Sequence, residues 1–245
     1  TMRILHTGDI VSIIEDQADK YAVRYDTANG ELEKNVLIDL NSDIAEYELF
    51  VFARGDFDNE QYTAASRLLE IFIGYFNYSP YTAEALYYLG QSMEIIAADD
   101  TSGTFPSTLR NERISQSFYN GDAYRTIIEE YGESIYAPKA QYRLINIFRM
   151  EHLPWHDSVA VVAEELSMWN DFCKTYAGTE EYVLGLAEAG YLNRVLYEIT
   201  GDETYRVQAT RSFSEILEAT PATVLGAYAR VNLHELATSK KIYKY

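Results

Sequence analysis

Cysteine is almost absent from the sequence, which contains only Cys173 among its 245 residues. A single cysteine excludes a disulfide within the chain and a cysteine-rich zinc site. Cys173 lies in an apolar-periodic stretch, so we interpret it as a small, buried hydrophobic residue. Long hydrophobic runs are also missing, since none approaches the ~20 consecutive apolar residues that a membrane-spanning helix needs.

Positive charge is scarce as well. The chain has 20 Lys and Arg residues against 38 Asp and Glu residues, which gives a formal net charge of -18. Proteins that bind DNA or RNA gain affinity by placing Lys and Arg along the phosphate backbone, and no dense basic stripe occurs here. An anionic membrane surface would repel the chain for the same reason. The composition therefore favours basic or neutral protein surfaces as partners.

Motifs that carry catalysis are also missing. The sequence has no glycine-rich phosphate loop and no GxSxG nucleophile turn. His152 and His156 have the HxxxH spacing of a zinc site, but Pro154 between them argues against a regular helix, so we interpret them as a surface loop. Adjacent acids such as Glu164 and Glu165 point in different directions on a helix. We expect no catalytic residue, no cofactor and no metal site, and therefore no enzyme.

One pattern of residues occurs four times. A helix ends in an aromatic or polar residue, Ser or Thr follows three positions later, and a large, a small and an apolar residue follow at +5, +9 and +13. The copies begin at Phe76, Tyr131, Tyr176 and Thr220, and the third copy is degenerate. A single helical pair cannot bury both of its faces, so such repeats are typical of stacked helical hairpins.

Residues 1–41 have a different pattern. Tyr21, Val23 and Tyr25 alternate as in a strand, Asn29-Gly30 predicts a hairpin turn, and Val36, Ile38 and Leu40 alternate again. This segment is too short to bury much core alone. We therefore predict a small β-unit at 1–41 that leans on a helical repeat domain at 42–245.

Helical spacing begins after residue 42. The predicted helices run from Ala45 to Arg54, Phe57 to Phe76, Tyr81 to about Ala97, Ile114 to Tyr131, Tyr136 to about Met150, Asp157 (as cap) to Tyr176 and Glu180 to Ile199. The helix from Ile114 has an interruption at Asn120-Gly121 as its alternative. A final pair consists of a helix containing Phe213 and a helix from Val224 to Leu236. The predicted fold class is mainly α, an α-solenoid of about four helical hairpins preceded by the β-unit. An irregular helical bundle is the alternative.

Three motifs carry a family resemblance: Gly55-Asp56-Phe57, the turn from Phe76 to Tyr81, and the helix containing Ala85, Tyr87 and Leu89. This stretch resembles the tetratricopeptide-type repeats of bacterial outer-membrane assembly lipoproteins and periplasmic division coordinators. The resemblance implies a TPR-like superhelix in the periplasm or at the outer membrane, with a leader or lipid anchor removed ahead of Thr1. Residues 1–41 are similar to bacterial SH3-like modules, with an unrelated β-hairpin extension as the alternative.

The chain contains 22 tyrosines. Core packing accounts for most of them, and we predict that others line a concave, acid-rimmed surface, where tyrosine offers contact area and a hydroxyl group. The candidate partner-binding residues are Tyr78, Tyr81, Tyr88, Tyr119 and Tyr136. The leading hypothesis is a non-enzymatic scaffold of the bacterial cell envelope that binds another protein or a basic peptide. The alternative is a binder of a small molecule or cell-wall glycan, through the β-unit or an enclosed pocket.

Overall fold

The computed structural model describes residues 8–17, 20–25, 28–33, 38–100, 105–154 and 158–238. These residues form nine α-helices and five β-strands. By their internal contacts the residues group into two compact units, Thr1–Asp100 (unit 1) and Thr101–Tyr245 (unit 2). The domain boundary between residues 41 and 42 stays a prediction.

Unit 1 begins with a three-stranded antiparallel sheet. Its strands β1 (Ser12–Asp16), β2 (Lys20–Tyr25) and β3 (Ala28–Glu33) pair in sequence order. The predicted turn at Asn29-Gly30 is wrong, because Asn29 pairs with Arg24 inside the ladder. Pairing already begins between Tyr25 and Ala28, so the chain reverses before it reaches Asn29. Register overrides the local turn preference here.

Three helices complete unit 1: α1 (Ala45–Asp58), α2 (Tyr62–Tyr75) and α3 (Thr82–Asp99). The predicted break at Arg54-Gly55 is wrong, because α1 continues through Gly55. The helix ends where the N–H of Asn59 donates to the Gly55 carbonyl and Glu60 takes a left-handed conformation with φ 62°. Phe57 therefore belongs to α1, whereas the sequence placed it at the start of the next helix.

The core of unit 1 joins all three helices. It consists of Leu49, Phe50, Ala53, Leu68, Leu69, Phe72 and Ala85. Ile38 and Leu40 pack against this core without forming the predicted strand, while Val36 lies outside the described residues. Gly8, at φ 89°, lies so close to α2 that a Cβ there would be 3.0 Å from the Cβ of Arg67. Gly8, Ile38 and Leu40 thus lie against the helices of unit 1, and a β-unit at 1–41 that leans on the helices as a whole stays a prediction.

Unit 2 opens with a β-hairpin whose second strand lies where the sequence predicted a helix. Strands β4 (Thr108–Asn111) and β5 (Gln116–Tyr119) pair antiparallel, and α4 (Asp122–Glu130) begins only after Gly121. The predicted helix from Ile114 is therefore wrong over its first part, and the alternative of an interruption at Asn120-Gly121 is confirmed. Gly121 has φ 88° and Ser115 has φ 55°, so both positions interrupt a helix. The four-residue spacing between Ile114 and Phe118 matches a helical period although both residues lie in or next to the hairpin.

The remaining helices confirm the predicted order, with ends shifted by a few residues. They are α5 (Ala137–His152), α6 (Val159–Thr175), α7 (Glu180–Thr200), α8 (Glu203–Ala219) and α9 (Val224–Thr238). Ser158 caps α6 by accepting a hydrogen bond from the N–H of Val161, and the predicted cap Asp157 lies outside the described residues. Gly201, with φ 72°, ends α7.

The four sequence repeats are four copies of one turn. They join α2 to α3, α4 to α5, α6 to α7 and α8 to α9. In each copy the first residue donates its N–H to the buried residue four positions earlier, at 2.8 to 2.9 Å. The Ser or Thr three positions later donates its N–H back to that first residue, at 2.9 to 3.2 Å. The mainly helical class, with helices packed sequentially as pairs, is confirmed.

The small residue at +9 lets the two helices of a pair approach. Ala85, Ala140 and Ala229 are fully buried at this position. The degenerate third copy has Gly185 there, and a Cβ on Gly185 would lie 2.6 Å from the ring of Phe172. The third hairpin therefore keeps the geometry of the others through an even closer approach of its helices.

Candidate functional site

Three helices of unit 2 carry polar and aromatic residues at spacings of three, four and seven. Such spacing places the residues of each helix on one side. We call the combined set the polar face: Tyr142, Asn146 and Arg149 from α5; Glu188, Tyr191, Arg194 and Glu198 from α7; Tyr228, Asn232 and Glu235 from α9. Contacts between these side chains join α5 to α7 and α7 to α9.

Arg149 connects α5 to α6 and α7. Its Nε donates to Oε1 of Glu165 at 2.7 Å, and its Nη2 donates to Oε2 of Glu188 at 2.6 Å. Glu165 is fully buried and also accepts a hydrogen bond from the indole N–H of Trp169 at 3.2 Å. Burial acts to lower the pKa of Arg149, but the carboxylates of Glu188 and Glu165 outweigh it and raise that pKa. The guanidinium is therefore charged and held in place.

Arg194 connects α7 to α9 in a similar way. Its guanidinium donates to the side-chain carbonyl of Asn232 and lies 3.2 Å from the carboxylate of Glu235. Its Nε lies 3.4 Å from the carboxylate of Glu198, one turn along α7. Asn232 in turn donates to the backbone carbonyl of Tyr228 at 2.8 Å. Each polar group of this set has its orientation fixed by a neighbour.

Three tyrosines lie among these charges. The ring of Tyr142 packs edge-on against Trp169 at 5.2 Å between centroids, and Tyr228 packs edge-on against Phe213 at 5.7 Å. Burial is the main cause that raises the pKa of Tyr142, Tyr191 and Tyr228, and the negative charge of Glu188 raises all three further. Glu188 is therefore within electrostatic range of three phenols and lies near the middle of the polar face.

The polar face and its buried support have more acid than base. Arg149 and Arg194 face four carboxyl groups, those of Glu165, Glu188, Glu198 and Glu235. Glu198 and Glu235 are the outermost pair, with side chains 41% and 30% exposed. Such a surface can accept hydrogen bonds from an ammonium or guanidinium group while the tyrosine rings contact its carbon chain.

The tyrosines predicted from sequence are divided between the two units. In unit 1, Tyr78 is 96% exposed. Tyr81 stacks on Phe50 with 4.9 Å between ring centroids, and Tyr88 lies beneath the guanidinium of Arg54 at 5.5 Å. Tyr81 and Tyr88 are half-buried and pack against the core of unit 1.

In unit 2, Tyr119 is only 3% exposed, and its hydroxyl accepts the N–H of Ala123 at the start of α4 at 2.7 Å. Tyr119 thus has little surface to offer a partner. Tyr136 is half-buried, with the ammonium of Lys139 5.5 Å from its ring centroid. That the five tyrosines form one surface stays a prediction.

Sequence reasoning missed Tyr191 and Tyr228 and treated Tyr142 only as a repeat position. The spacing of Tyr142, Asn146 and Arg149 along α5 is visible in the sequence and could have indicated a polar face. The pairing of Arg149 with Glu165 and of Arg194 with Asn232 joins residues 16 and 38 positions apart. Local spacing carries no signal for these pairs.

Two other kinds of candidate site, a cleft and a metal site, have less support than the polar face. A cleft of about 590 Å³ lies between the β4–β5 turn, the end of α5 and the start of α6. Its charged lining residues are Arg110, Glu112, Arg113 and Glu151, so its fixed charges balance. Among the residues that the structure describes, no three His, Cys, Asp or Glu side chains cluster as metal ligands. The interpretation of His152 as part of a surface loop is wrong, because His152 is the half-buried last residue of α5 and its Nδ1 lies 2.8 Å from the carbonyl of Phe148. His156 lies outside the described residues.

Within the described ranges, no helix has both the length and the apolar composition needed to cross a membrane. A comparison of the chain with known protein families found no match, and a comparison with curated proteins found no match either. The resemblance to tetratricopeptide-type repeats therefore stays a prediction from the sequence motifs.

Proposed function

We propose that the chain is a non-enzymatic protein-binding scaffold whose polar face in unit 2 holds a basic segment of a partner protein. The observation that carries the proposal is the arrangement around Glu188. Three helices place three ordered carboxylates and three tyrosine rings on one face, with one more carboxyl group than guanidinium groups. Preorganised groups lose little freedom on binding, so this arrangement favours recognition.

The exposed carboxylates Glu198 and Glu235 are the proposed first contacts for a Lys or Arg side chain. Both lie beside Arg194, whose guanidinium keeps them in place. Tyr228, 36% exposed, lies within electrostatic range of Arg194 and Glu188 and offers aromatic surface on the same face. The net charge of -18 would also speed the approach of a basic partner at low salt.

The resemblance of the sequence motifs to tetratricopeptide-type repeats of envelope proteins supports a proposal about where the scaffold acts. It suggests a scaffold of the bacterial cell envelope, in the periplasm or at the outer membrane. The paired helices, which leave side chains available on one face of several helices, suit a scaffold of this kind.

Isothermal titration calorimetry with a Lys-rich dodecapeptide containing two tyrosines tests the proposal. The variant Glu198→Gln/Glu235→Gln should bind the peptide about tenfold more weakly than the unmodified chain, because each lost ion pair removes a fraction of the binding energy. The control variant Glu129→Gln/Glu133→Gln changes the net charge equally at exposed positions of the same unit. Equal weakening in both variants would show that only overall charge matters, and the proposed site would be wrong.

A further inference from the structure

Helix α1 of unit 1 has two apolar faces. Ala45, Leu49, Phe50 and Ala53 form the inner face and are buried against the unit 1 core. A second set lies on the opposite side: Ile44, at the N-cap, and Tyr47, Val51 and Phe52. These four residues are spaced at i, i+3, i+7 and i+8 and are each 44 to 60% exposed. We call this second set the outer stripe.

An apolar stripe on the solvent side of a helix is unusual. A surface helix carries apolar residues on one side, and a helix that is apolar on both sides is normally buried on both. The terminal helices of repeat stacks usually have polar outer faces for the same reason. Four large apolar side chains in one continuous stripe, unlike scattered ones, indicate a contact surface.

A carboxylate lies within the stripe. Glu48 is four residues after Ile44 and four before Phe52, so helical spacing places it between them. Glu48 is half-buried, and its carboxylate has no hydrogen-bond or ion-pair partner within the described part of the chain. A carboxylate that a partner covers must be paired to avoid a large desolvation cost.

The position of Glu48 argues against a second copy of the chain as the occupant. A symmetric antiparallel pair of outer stripes would be centred on Glu48, and the two carboxylates would meet. Each copy also carries a net charge of -18. Like charges in the middle of an apolar contact are destabilising.

We propose that the outer stripe docks an amphipathic helix of another protein, with a Lys or Arg on its apolar face opposite Glu48. Ridges of side chains at helical spacing accept a second helix in their grooves, as the neighbouring helices of unit 1 do. This inference shares with the proposed function only the idea that the chain binds proteins. It concerns a different unit and different residues.

Two synthetic 18-residue helices with the same leucine face test the inference, one with Lys and one with Glu at the centre of that face. Fluorescence anisotropy with the full chain should show at least about tenfold tighter binding of the Lys helix. Val51→Ser/Phe52→Ser should abolish that binding, and Glu48→Gln should remove the preference for Lys. The control Val207→Ser/Val224→Ser replaces exposed valines of unit 2 and should leave binding unchanged.

Three results would overturn the inference. They are equal binding of the two helices, equal loss in the stripe and control variants, and a dimer in sedimentation experiments that Val51→Ser/Phe52→Ser dissociates. The last would identify a second copy as the occupant. Glu198→Gln/Glu235→Gln should leave binding of the Lys helix unchanged. The experiments therefore distinguish a wrong proposal for the polar face from a wrong proposal for the outer stripe.

Discussion

Arg149 donates a hydrogen bond of 2.7 Å to Glu165, a carboxylate without exposed surface. The bond joins the last helix of the α4/α5 hairpin to the first helix of the α6/α7 hairpin. Its surroundings are apolar, since Ile145, Val162 and Trp169 belong to one core cluster. A buried ion pair of this kind contributes little net stability when intact but is costly to break on one side.

Arg149→Ala should therefore lower the free energy of unfolding by about 3–5 kcal/mol, because it leaves the carboxylate of Glu165 buried without a cation. Arg149→Met/Glu165→Leu should recover most of that loss, since neither charge remains. Urea unfolding followed by circular dichroism measures both. Arg206→Ala is the matched control, because Arg206 pairs with Glu203 on the surface and its loss should leave the free energy of unfolding nearly unchanged. Equal losses for Arg149→Ala and Arg206→Ala would contradict the buried pair.

The features predicted correctly from the sequence are those with a local cause. Each repeat turn is closed by hydrogen bonds between residues three or four positions apart, so Ser79 and Ser134 could be recognised from short stretches alone. The small residue at +9 faces the helix joined by that turn, as Ala140 shows, and its spacing is fixed by the turn. Four hairpins therefore followed from the pattern.

The features that were missed depend on distant residues. Gly55 reads locally as a helix end, yet it lies within α1 because the neighbouring apolar residues pack on α2 and α3. The β4–β5 hairpin is anchored by Asn111, which reaches residues about 40 positions later. The polar face depends likewise on pairs between helices. None of these contacts leaves a periodic trace in the sequence.

Gly185 should be intolerant of a side chain. Gly185→Ala places a methyl group 2.6 Å from Phe172, so α6 and α7 must separate, at a cost of about 1–3 kcal/mol. Gly74→Ala is the contrasting change, because Gly74 lies in α2 with no atom near the added Cβ. It should raise stability by about 0.5–1 kcal/mol through helix propensity. Thermal unfolding of both variants checks the opposite signs, and a stabilised Gly185→Ala would refute the close approach.

Asn111 should act as a side-chain cap for α5. Its amide nitrogen donates to the carbonyls of Met150 at 2.7 Å and Leu153 at 2.9 Å, and the side chain is buried. Asn111→Ala should cost about 1–3 kcal/mol, because the carbonyls lose their donor. Asn111→Asp should cost more at pH 7, because a carboxylate would face those carbonyls.

The Asn111→Asp variant also predicts a dependence on pH. Burial beside carbonyl oxygens would raise the pKa of the introduced carboxyl group in the folded state above its unfolded value. The variant should therefore be relatively more stable below pH 4 and lose stability as the pH rises. Urea unfolding of Asn111→Asp and Asn111→Ala at pH 4 and pH 7 gives the comparison. An Asn111→Asp variant that is no more sensitive to pH than Asn111→Ala would exclude the capping geometry.

Cys173 should react slowly in the folded chain. Burial, and secondarily the charge of Glu215, raise the pKa of its thiol to about 11. Since the thiolate is the reactive form, its fraction at pH 8 should be about 100-fold smaller than in urea, where the ordinary value near 9 applies. A thiolate of higher pKa is a stronger nucleophile, so alkylation by iodoacetamide should be about tenfold slower in the folded chain. The alkylation rate of the folded chain should rise with pH to a midpoint near pH 11, and Glu215→Gln should lower that midpoint.

The raised pKa of Cys173 also affects stability. Because the pKa is higher in the folded than in the unfolded state, the thiol adds to the free energy of unfolding below about pH 9, and this contribution is lost as the pH rises through 11. The predicted burial of Cys173 holds only in part, because its side chain is half-buried against two core clusters of unit 2. Cys173 is the only cysteine in the chain, so the alkylation rate reports on this site alone, and equal rates in the folded and unfolded states would contradict that packing.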